Sequence, residues 1–235
     1  MTPSPSVPSV SIPSVSIIVP MLNEIEQLPD LLEQLRFWQD RGCEVIIVDG
    51  GSQDGSAAAT THAGFRVIEA EPGRGRQMNA GARAACGEAL LFLHADTRLP
   101  DDADRTVTHA LTQGHMWGRF DLRIEGRTLM LKVVSAMVNL RSRLSGVATG
   151  DQAIFVRRSI FEALGGFVEQ PLMEDIELSG RLKALAPPAC LSARVTTSGR
   201  RWEARGVWRT IFLMWRLRLA YWRGVPPEVL AREYR

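Results

Sequence analysis

The sequence predicts an α/β fold, a single domain whose central sheet is mainly parallel and covered by helices on both faces. Three observations carry this. Short apolar runs alternate with stretches of helical spacing over the first half of the chain. The runs are continuous rather than alternating, as expected of strands buried on both faces. The connections are short and rich in Gly, Pro, Asn and Asp, so β-α-β units can follow one another without a break.

Val15–Val19 is the first run, stopped by Pro20. Leu28, Leu31, Leu32 and Leu35 then recur at helical spacing, and Gly42 closes that helix. Val45–Val48 is the second strand, ending in Asp49-Gly50-Gly51-Ser52. An Ala- and Thr-rich helix follows, then a third strand over Arg66–Ala70. Pro72–Arg76 reads as a turn and Gln77–Cys86 as a helix. Ala89–Leu93 is a fourth buried strand that runs into His94-Ala95-Asp96. The second half departs from this rhythm. Helices are expected over Pro100–Thr112, Leu129–Leu144, Ser159–Leu164, Leu172–Leu185 and Val207–Trp222, with strands over Met116–Ile124, Ala153–Val156 and Val195–Thr197. No internal repeat is present.

The 235 residues, 45% hydrophobic and 23% charged, suit one large domain with a full core. A net charge of +2 gives no reason to expect nucleic acid. Cys43, Cys86 and Cys190 are far apart and in no CxxC pattern, which reads as reduced thiols of a cytoplasmic protein. No apolar run approaches the ~20 residues of a membrane span. Residues 1–14, rich in Ser and Pro, read as a disordered leader rather than a signal peptide.

Several constellations carry chemistry. Ligands of open α/β sheets sit beyond the carboxyl ends of the strands, where Asp49 and Asp96 both fall. Asp96 is an oxygen ligand suited to a hard divalent cation, or alternatively the cap of the helix that follows. Asp49 suits hydrogen bonds to a base or ribose, while Ser52 and Asp54 also suit a helix cap. Gly73-Arg74-Gly75-Arg76 before Gln77, Asn79 and Gly81 offers a phosphate site at a helix start. Gly150-Asp151-Gln152 and Glu174-Asp175 read either as a turn and an acidic helix N-terminus or as a general base beside a substrate.

Taken in order, strand-Pro20-x-x-Asn23-Glu24, Val48-Asp49-Gly50-Gly51-Ser52-x-Asp54-Gly55-Ser56, Gly73-Arg74-Gly75-x-x-x-Asn79-x-Gly81, a strand ending in Asp96, and Glu174-Asp175 resemble the motif set of family 2 glycosyltransferases. The resemblance covers about residues 15 to 205 and implies the GT-A fold, a Rossmann-like nucleotide-diphospho-sugar transferase architecture. It divides the domain into a nucleotide-binding half, 15–98, and an acceptor half, 99–205, followed by an amphipathic helical segment, 206–235. The finer pattern around His94–Thr97, Gly150–Gln152, Met173–Leu178 and Thr197–Trp202 is similar to a bacterial subgroup associated with arsenosugar biosynthesis.

The resemblance implies inverting transfer from a nucleoside-diphosphate sugar, usually a UDP-sugar, to an acceptor hydroxyl. Pro20, Asn23 and Glu24 would line the nucleotide pocket, with Asp49 at the base and Asp54, Arg74, Gly75 and Asn79 beside the nucleotide. Ala95, Asp151 and Glu174 would border the substrate. Asp175 would be the catalytic base, and Arg200, Arg201 and Trp202 would form a loop over the diphosphate. Asp96 would hold Mg²⁺ or Mn²⁺. The chain departs from the family at His94, where an Asp is usual; its imidazole would either ligate the metal or pack beside it.

Beyond that domain, Trp208, Phe212, Trp215, Leu219 and Trp222 recur at intervals of four and three beside Arg209, Arg216 and Arg223. Such a helix suits either peripheral contact with anionic lipid at the inner face of a membrane or docking on the domain. A sugar nucleotidyltransferase would need its basic Gly loop directly after the first strand, where this chain has Pro20-Met21-Leu22-Asn23-Glu24. A non-catalytic nucleotide-binding, membrane-associated protein is the other alternative, and His94 favours it most.

Overall fold

The computed structural model describes residues 15–234, so the leader lies outside the described residues. Its first half follows the expected alternation: β1 (Val15–Met21), α1 (Leu28–Asp40), β2 (Glu44–Asp49), α2 (Ser56–His62), β3 (Arg66–Glu69), α3 (Arg74–Ala84) and β4 (Ala89–Phe92). The short strand β5 (Thr97–Arg98), α4 (Ala103–Thr112), β6 (Trp117–Glu125) and α5 (Met130–Ser145) come next. A single 3₁₀ turn (Gly150–Gln152) leads into β7 (Phe155–Arg157), α6 (Arg158–Ala163), α7 (Glu174–Leu185) and β8 (Ala189–Ser198). The chain closes with α8 (Arg200–Arg205), α9 (Val207–Trp222) and α10 (Pro227–Tyr234).

Eight strands form one sheet in the order β3-β2-β1-β4-β7-β6-β8-β5. β1 to β4 are mutually parallel, β7 runs antiparallel between β4 and β6, and β6 and β8 are parallel again. The period of two distributes the buried strands between two cores. Ile17, Val19, Val45, Ile47, Leu91 and Leu93 meet α1 and α4 on one face. Ile18, Ile46, Val48, Leu90 and Phe92 meet α3, α6 and α7 on the other. This is why both parities of each run are apolar.

Three expectations needed revision. The last strand is ten residues long, not three, because it pairs along the length of β6 across a register shift at Phe120/Asp121. The third helix starts at Arg74, so Arg74 and Gly75 lie on its first turn rather than in a loop. Gly75 permits this: a Cβ there would stand 2.8 Å from the Val168 carbonyl oxygen. The α7 helix starts at Glu174 because Met173 takes a left-handed conformation, φ 68°.

The C-terminal helices pack on the domain through one side of α9. Leu217 of α9 and Leu230 of α10 bury against Met173, with Leu172 and Ile176 beside them. The aromatic stripe faces the other way: Trp208, Phe212, Trp215, Leu219 and Trp222 are all exposed. Among the described residues no helix is long and apolar enough to cross a membrane.

Candidate active site

The cleft starts where the loops after β1 and β2 are sewn together. Asn23 N–H donates to Ser52 Oγ at 2.9 Å, Glu24 N–H to Ser56 Oγ at 3.0 Å, and Gln53 N–H to Asn23 Oδ1 at 2.8 Å. Asp49 lies beneath them, buried, and its Oδ2 accepts the Gly51 and Ser52 N–H groups at 2.9 Å each. Asp54 joins the two loops by accepting Ile25 N–H at 3.0 Å and capping α2 through Ser56 N–H at 3.0 Å. Its pKa is held below the ordinary carboxylate value, chiefly by the Ser56 hydroxyl. The carboxylates of Asp49 and Asp54 thus shape the loops that form the cleft wall.

Gln77 ties this wall to the sheet. Its buried side-chain Nε2 donates to the carbonyls of Met21 and Val48 at 2.8 Å each, joining the carboxyl ends of β1 and β2. Pro20 is buried within β1. Asn79, further along α3, has both ends of its amide engaged with the Phe167 backbone at 2.8 Å.

Beyond β4 the chain turns over, with Thr97 N–H donating to the His94 carbonyl at 3.0 Å. Asp96 is exposed on this turn, Ala95 is half-buried beside it, and the His94 ring packs against Gly150. A Cβ at Gly150 would come within 2.4 Å of His94 Nε2. His94 Nδ1 stands 3.9 Å from Asp151 Oδ1. Burial, and then the Arg74 charge, lower the His94 pKa, which keeps the imidazole neutral.

Asp175, on the first turn of α7, accepts Gly150 N–H on Oδ2 and Ile176 N–H on Oδ1, both at 2.7 Å. Glu174 beside it is buried, and burial followed by the Asp175 charge pushes its pKa up to about 7. Arg74 stands among Glu174, Tyr234, Asp151 and Asp175; desolvation opposes its charge, but these groups outweigh it and hold its pKa above the ordinary arginine value. Glu24 is raised by burial and then by Asp96, against the charges of Arg200 and Arg74. Residues distant in sequence therefore share one electrostatic neighbourhood at the carboxyl edge of β1, β2 and β4.

Arg200 bonds Ser198 Oγ through its Nε at 3.1 Å, and Trp202 is half-buried against the core; the Arg201 side chain lies outside the described residues. A cleft of about 610 Å³ lies next to this neighbourhood, lined by α1, the Ala95–Arg98 turn, β8 and Arg200. It touches Asp96 but not Asp49 or Asp175, so the electrostatic cluster rather than this cleft marks the candidate site.

Sequence reasoning missed Tyr234 and Arg141, and read Gln77 and Gly150 only as members of a phosphate-site motif and a turn. Gln77 and Gly150 hold the frame, Tyr234 arrives from α10, and Arg141 comes from α5. Arg141 lies near Asp175 and Asp151, and burial followed by Arg218 lowers its pKa to about 10. Backbone strain, which belongs to the folded chain and not to the sequence, marks the same neighbourhood. Non-glycine positive φ occurs, among the described residues, at Asn23 (54°), Ala153 (47°) and Met173 (68°), which adjoin Glu24, the Gly150–Gln152 turn and Glu174. Each costs about 1–2 kcal/mol, the sort of strain that gathers at functional loops.

The residues fit a divalent cation in an open site. Among the described residues no three His, Cys, Asp or Glu side chains form a closed metal cage. Mg²⁺ commonly needs only one or two carboxylates together with substrate phosphates. Asp96 is exposed, and its charge already disfavours ionised Glu24; a cation here would relieve that repulsion.

Comparison with known proteins bears on the family and the fold. The chain is 27% identical over 163 residues to undecaprenyl-phosphate 4-deoxy-4-formamido-L-arabinose transferase of Yersinia pestis bv. Antiqua (strain Angola), covering 63% of this chain and half the length of that relative. The structure superposes on S. aureus TarS 1-349 in complex with UDP-GlcNAc with a TM-score of 0.63 and 18% identity, covering 79% of this chain and 58% of that one. It superposes on the mannosyltransferase PcManGT from Pyrobaculum calidifontis, in complex with GDP-Man and Mn²⁺, with a TM-score of 0.64 and 18% identity, covering 96% and 70%. The family model described as glycosyl transferase family 2 matches residues 16–164. With that match over more than half its length, and with the GT-A architecture of its structural neighbours, the chain belongs to glycosyl transferase family 2.

Proposed function

We propose that the protein is an inverting glycosyltransferase that moves a sugar from a nucleoside-diphosphate sugar, a UDP-sugar, to an acceptor hydroxyl. The observation that carries this is the gathering of Glu24, Arg74, Asp96, Asp151, Glu174 and Asp175 into one electrostatic neighbourhood at the strand ends. In this reading Pro20, Asn23, Glu24 and Asp49 bound the nucleoside pocket. Arg74 and Arg200 lie where a diphosphate is neutralised. A Mg²⁺ or Mn²⁺ at Asp96 would supply further charge stabilisation to the departing diphosphate. His94, neutral and packed on Gly150, orients the Asp96 turn. Asp175 is held by two backbone N–H groups and retains lone pairs to receive the acceptor proton. The finer motif pattern supports membership of the arsenosugar-associated subgroup.

We also propose a peripheral contact with the cytoplasmic face of a membrane through α9. Its aromatic stripe is exposed, and Arg209, Arg216 and Arg223 flank it, a combination that suits anionic lipid. Triple replacement of Trp208, Trp215 and Trp222 by Ser leaves the buried side of α9 intact. It should abolish flotation with anionic vesicles; unchanged flotation removes the contact.

The reaction is tested by measuring nucleoside-diphosphate release from a panel of donor sugars, with and without Mn²⁺. The expected result is slow, Mn²⁺-stimulated hydrolysis of one donor class. Asp96→Asn should lose the stimulation, and Asp175→Asn should lose transfer to an acceptor while donor binding stays within about threefold, because its loss removes a base rather than a binding contact. Mn²⁺ stimulation that survives Asp96→Asn, or transfer that survives Asp175→Asn, would refute the assignment.

A further inference from the structure

We propose that Arg141 and Arg218 form an anion subsite beside Asp175 that takes a phosphomonoester carried by the acceptor. The inference rests on the glycosyl-transfer reading, since it assigns a substrate class to the acceptor side of that site.

The arginines of α5 differ in how they are satisfied. Arg143 donates to Asp121 Oδ2 at 2.7 Å. Nearby on β6, fully buried Arg119 is paired with Asp121 and donates to Ser142 Oγ at 3.1 Å. Arg141 has no comparable arrangement. Its Nε and Nη2 are buried and find no hydrogen-bond partner among the described residues. Asp151 and Asp175 act on it electrostatically, but among the described residues neither forms an ion pair with it. Both oxygens of Asp175 are already accepting backbone N–H groups. Buried guanidinium nitrogens without a partner are costly, and Arg141 does not stand alone. Arg218, half-buried on α9, is the strongest charge acting on it and repels it.

Among the described residues neither Arg141 nor Arg218 forms an ion pair, and two such cations brought together from separate elements ask for one anion between them. A dianionic phosphomonoester matches two forked donors better than a single carboxylate does. The placement favours the acceptor over the donor. Asp96 acts on Glu24 and His94 but is not among the charges acting most on Arg141, whose acids are Asp175, the base in this reading, and Asp151; those two also act on Arg74 and His94 and so join the two sides of the site. An acceptor anchored there would present a neighbouring hydroxyl to Asp175.

The experiment is isothermal titration of the full chain with glycerol phosphate, glycerol, octyl phosphate and, separately, UDP with Mn²⁺. Glycerol phosphate should bind and glycerol should not. Arg141→Gln and Arg218→Gln should each weaken glycerol phosphate roughly tenfold or more, as expected for lost charge-assisted bonds. Arg105→Gln, at an exposed arginine of α4, should leave it unchanged. Tighter binding of octyl phosphate, with the same Arg dependence, would identify a lipid headgroup as the source; equal affinity would identify a soluble phosphorylated acceptor. Should Arg141→Gln fail to fold, Arg218→Gln decides the matter. Glycerol phosphate affinity that survives both substitutions, or no binding at all by either phosphate, overturns the subsite. Failure of UDP to bind, with Arg-dependent phosphate binding retained, would instead remove the donor reading and leave the anion site standing.

Discussion

Glu174→Gln should stabilise the protein, and increasingly so as pH rises. Glu174 is 5% exposed, and its pKa rises from 4.5 to about 7 because burial and then Asp175 penalise its ionised form. The folded state therefore binds more protons than the unfolded state between those two values. Stability from this group is fully present below about pH 4.5, falls as pH rises towards 7, and is constant above that. The gap corresponds to about 3 kcal/mol, at a slope of no more than about 1.4 kcal/mol per pH unit. A Gln at 174 keeps the shape and never ionises. In a domain of this size, about 3 kcal/mol moves Tm by roughly 6–12 °C. The assay is the difference in Tm between Glu174→Gln and the parent, measured by calorimetry from pH 5 to 8.5, so that other carboxylates cancel. The difference should be small at pH 5 and reach its plateau near pH 8. A difference that does not vary with pH would refute the reasoning, since a packing effect has no such dependence. The variant should also lose activity, because removing a strained charge at a site commonly exchanges function for stability.

Two further outcomes test the frame. Gln77→Leu fills the same space but leaves the Met21 and Val48 carbonyls without their 2.8 Å donor. The expected loss is about 2 kcal/mol, read as a Tm about 4–8 °C lower by circular dichroism. Gly81→Ala places a Cβ 2.4 Å from Ile18 Cγ2 and 3.0 Å from Val48 Cγ2. Overpacking costs about 1–3 kcal/mol and outweighs the gain in helix propensity of about 1 kcal/mol, so denaturant titration should show a lower midpoint at an unchanged slope.

The sequence by itself determined the doubly covered parallel half of the sheet. Ile17-Ile18-Val19, Val45–Val48 and Leu90–Phe92 have apolar residues in both parities, which only a strand with helices on both faces can bury. It also placed Asp49 at the end of β2 and Asp96 just beyond β4, because the second apolar run stops at a carboxylate and the fourth runs into His94-Ala95-Asp96, and the ordered motifs pointed to the family. What remained hidden depended on partners far along the chain. The length of β8 follows from its pairing with β6, and no local pattern in Ala189–Ser198 announces that partner. Asp54 and Asn79 read equally well as ligand groups until their hydrogen bonds to Ile25 and Phe167 came into view. The outward turn of the α9 aromatic stripe was settled by Leu217, which buries against Met173 on the opposite side. Arg141 is one arginine among many in sequence, and only the packed structure leaves two of its nitrogens buried without a partner among the described residues. Periodicity is a local property and can be read along the chain; burial and charge pairing belong to the folded solid, where residues over a hundred positions apart share one dielectric.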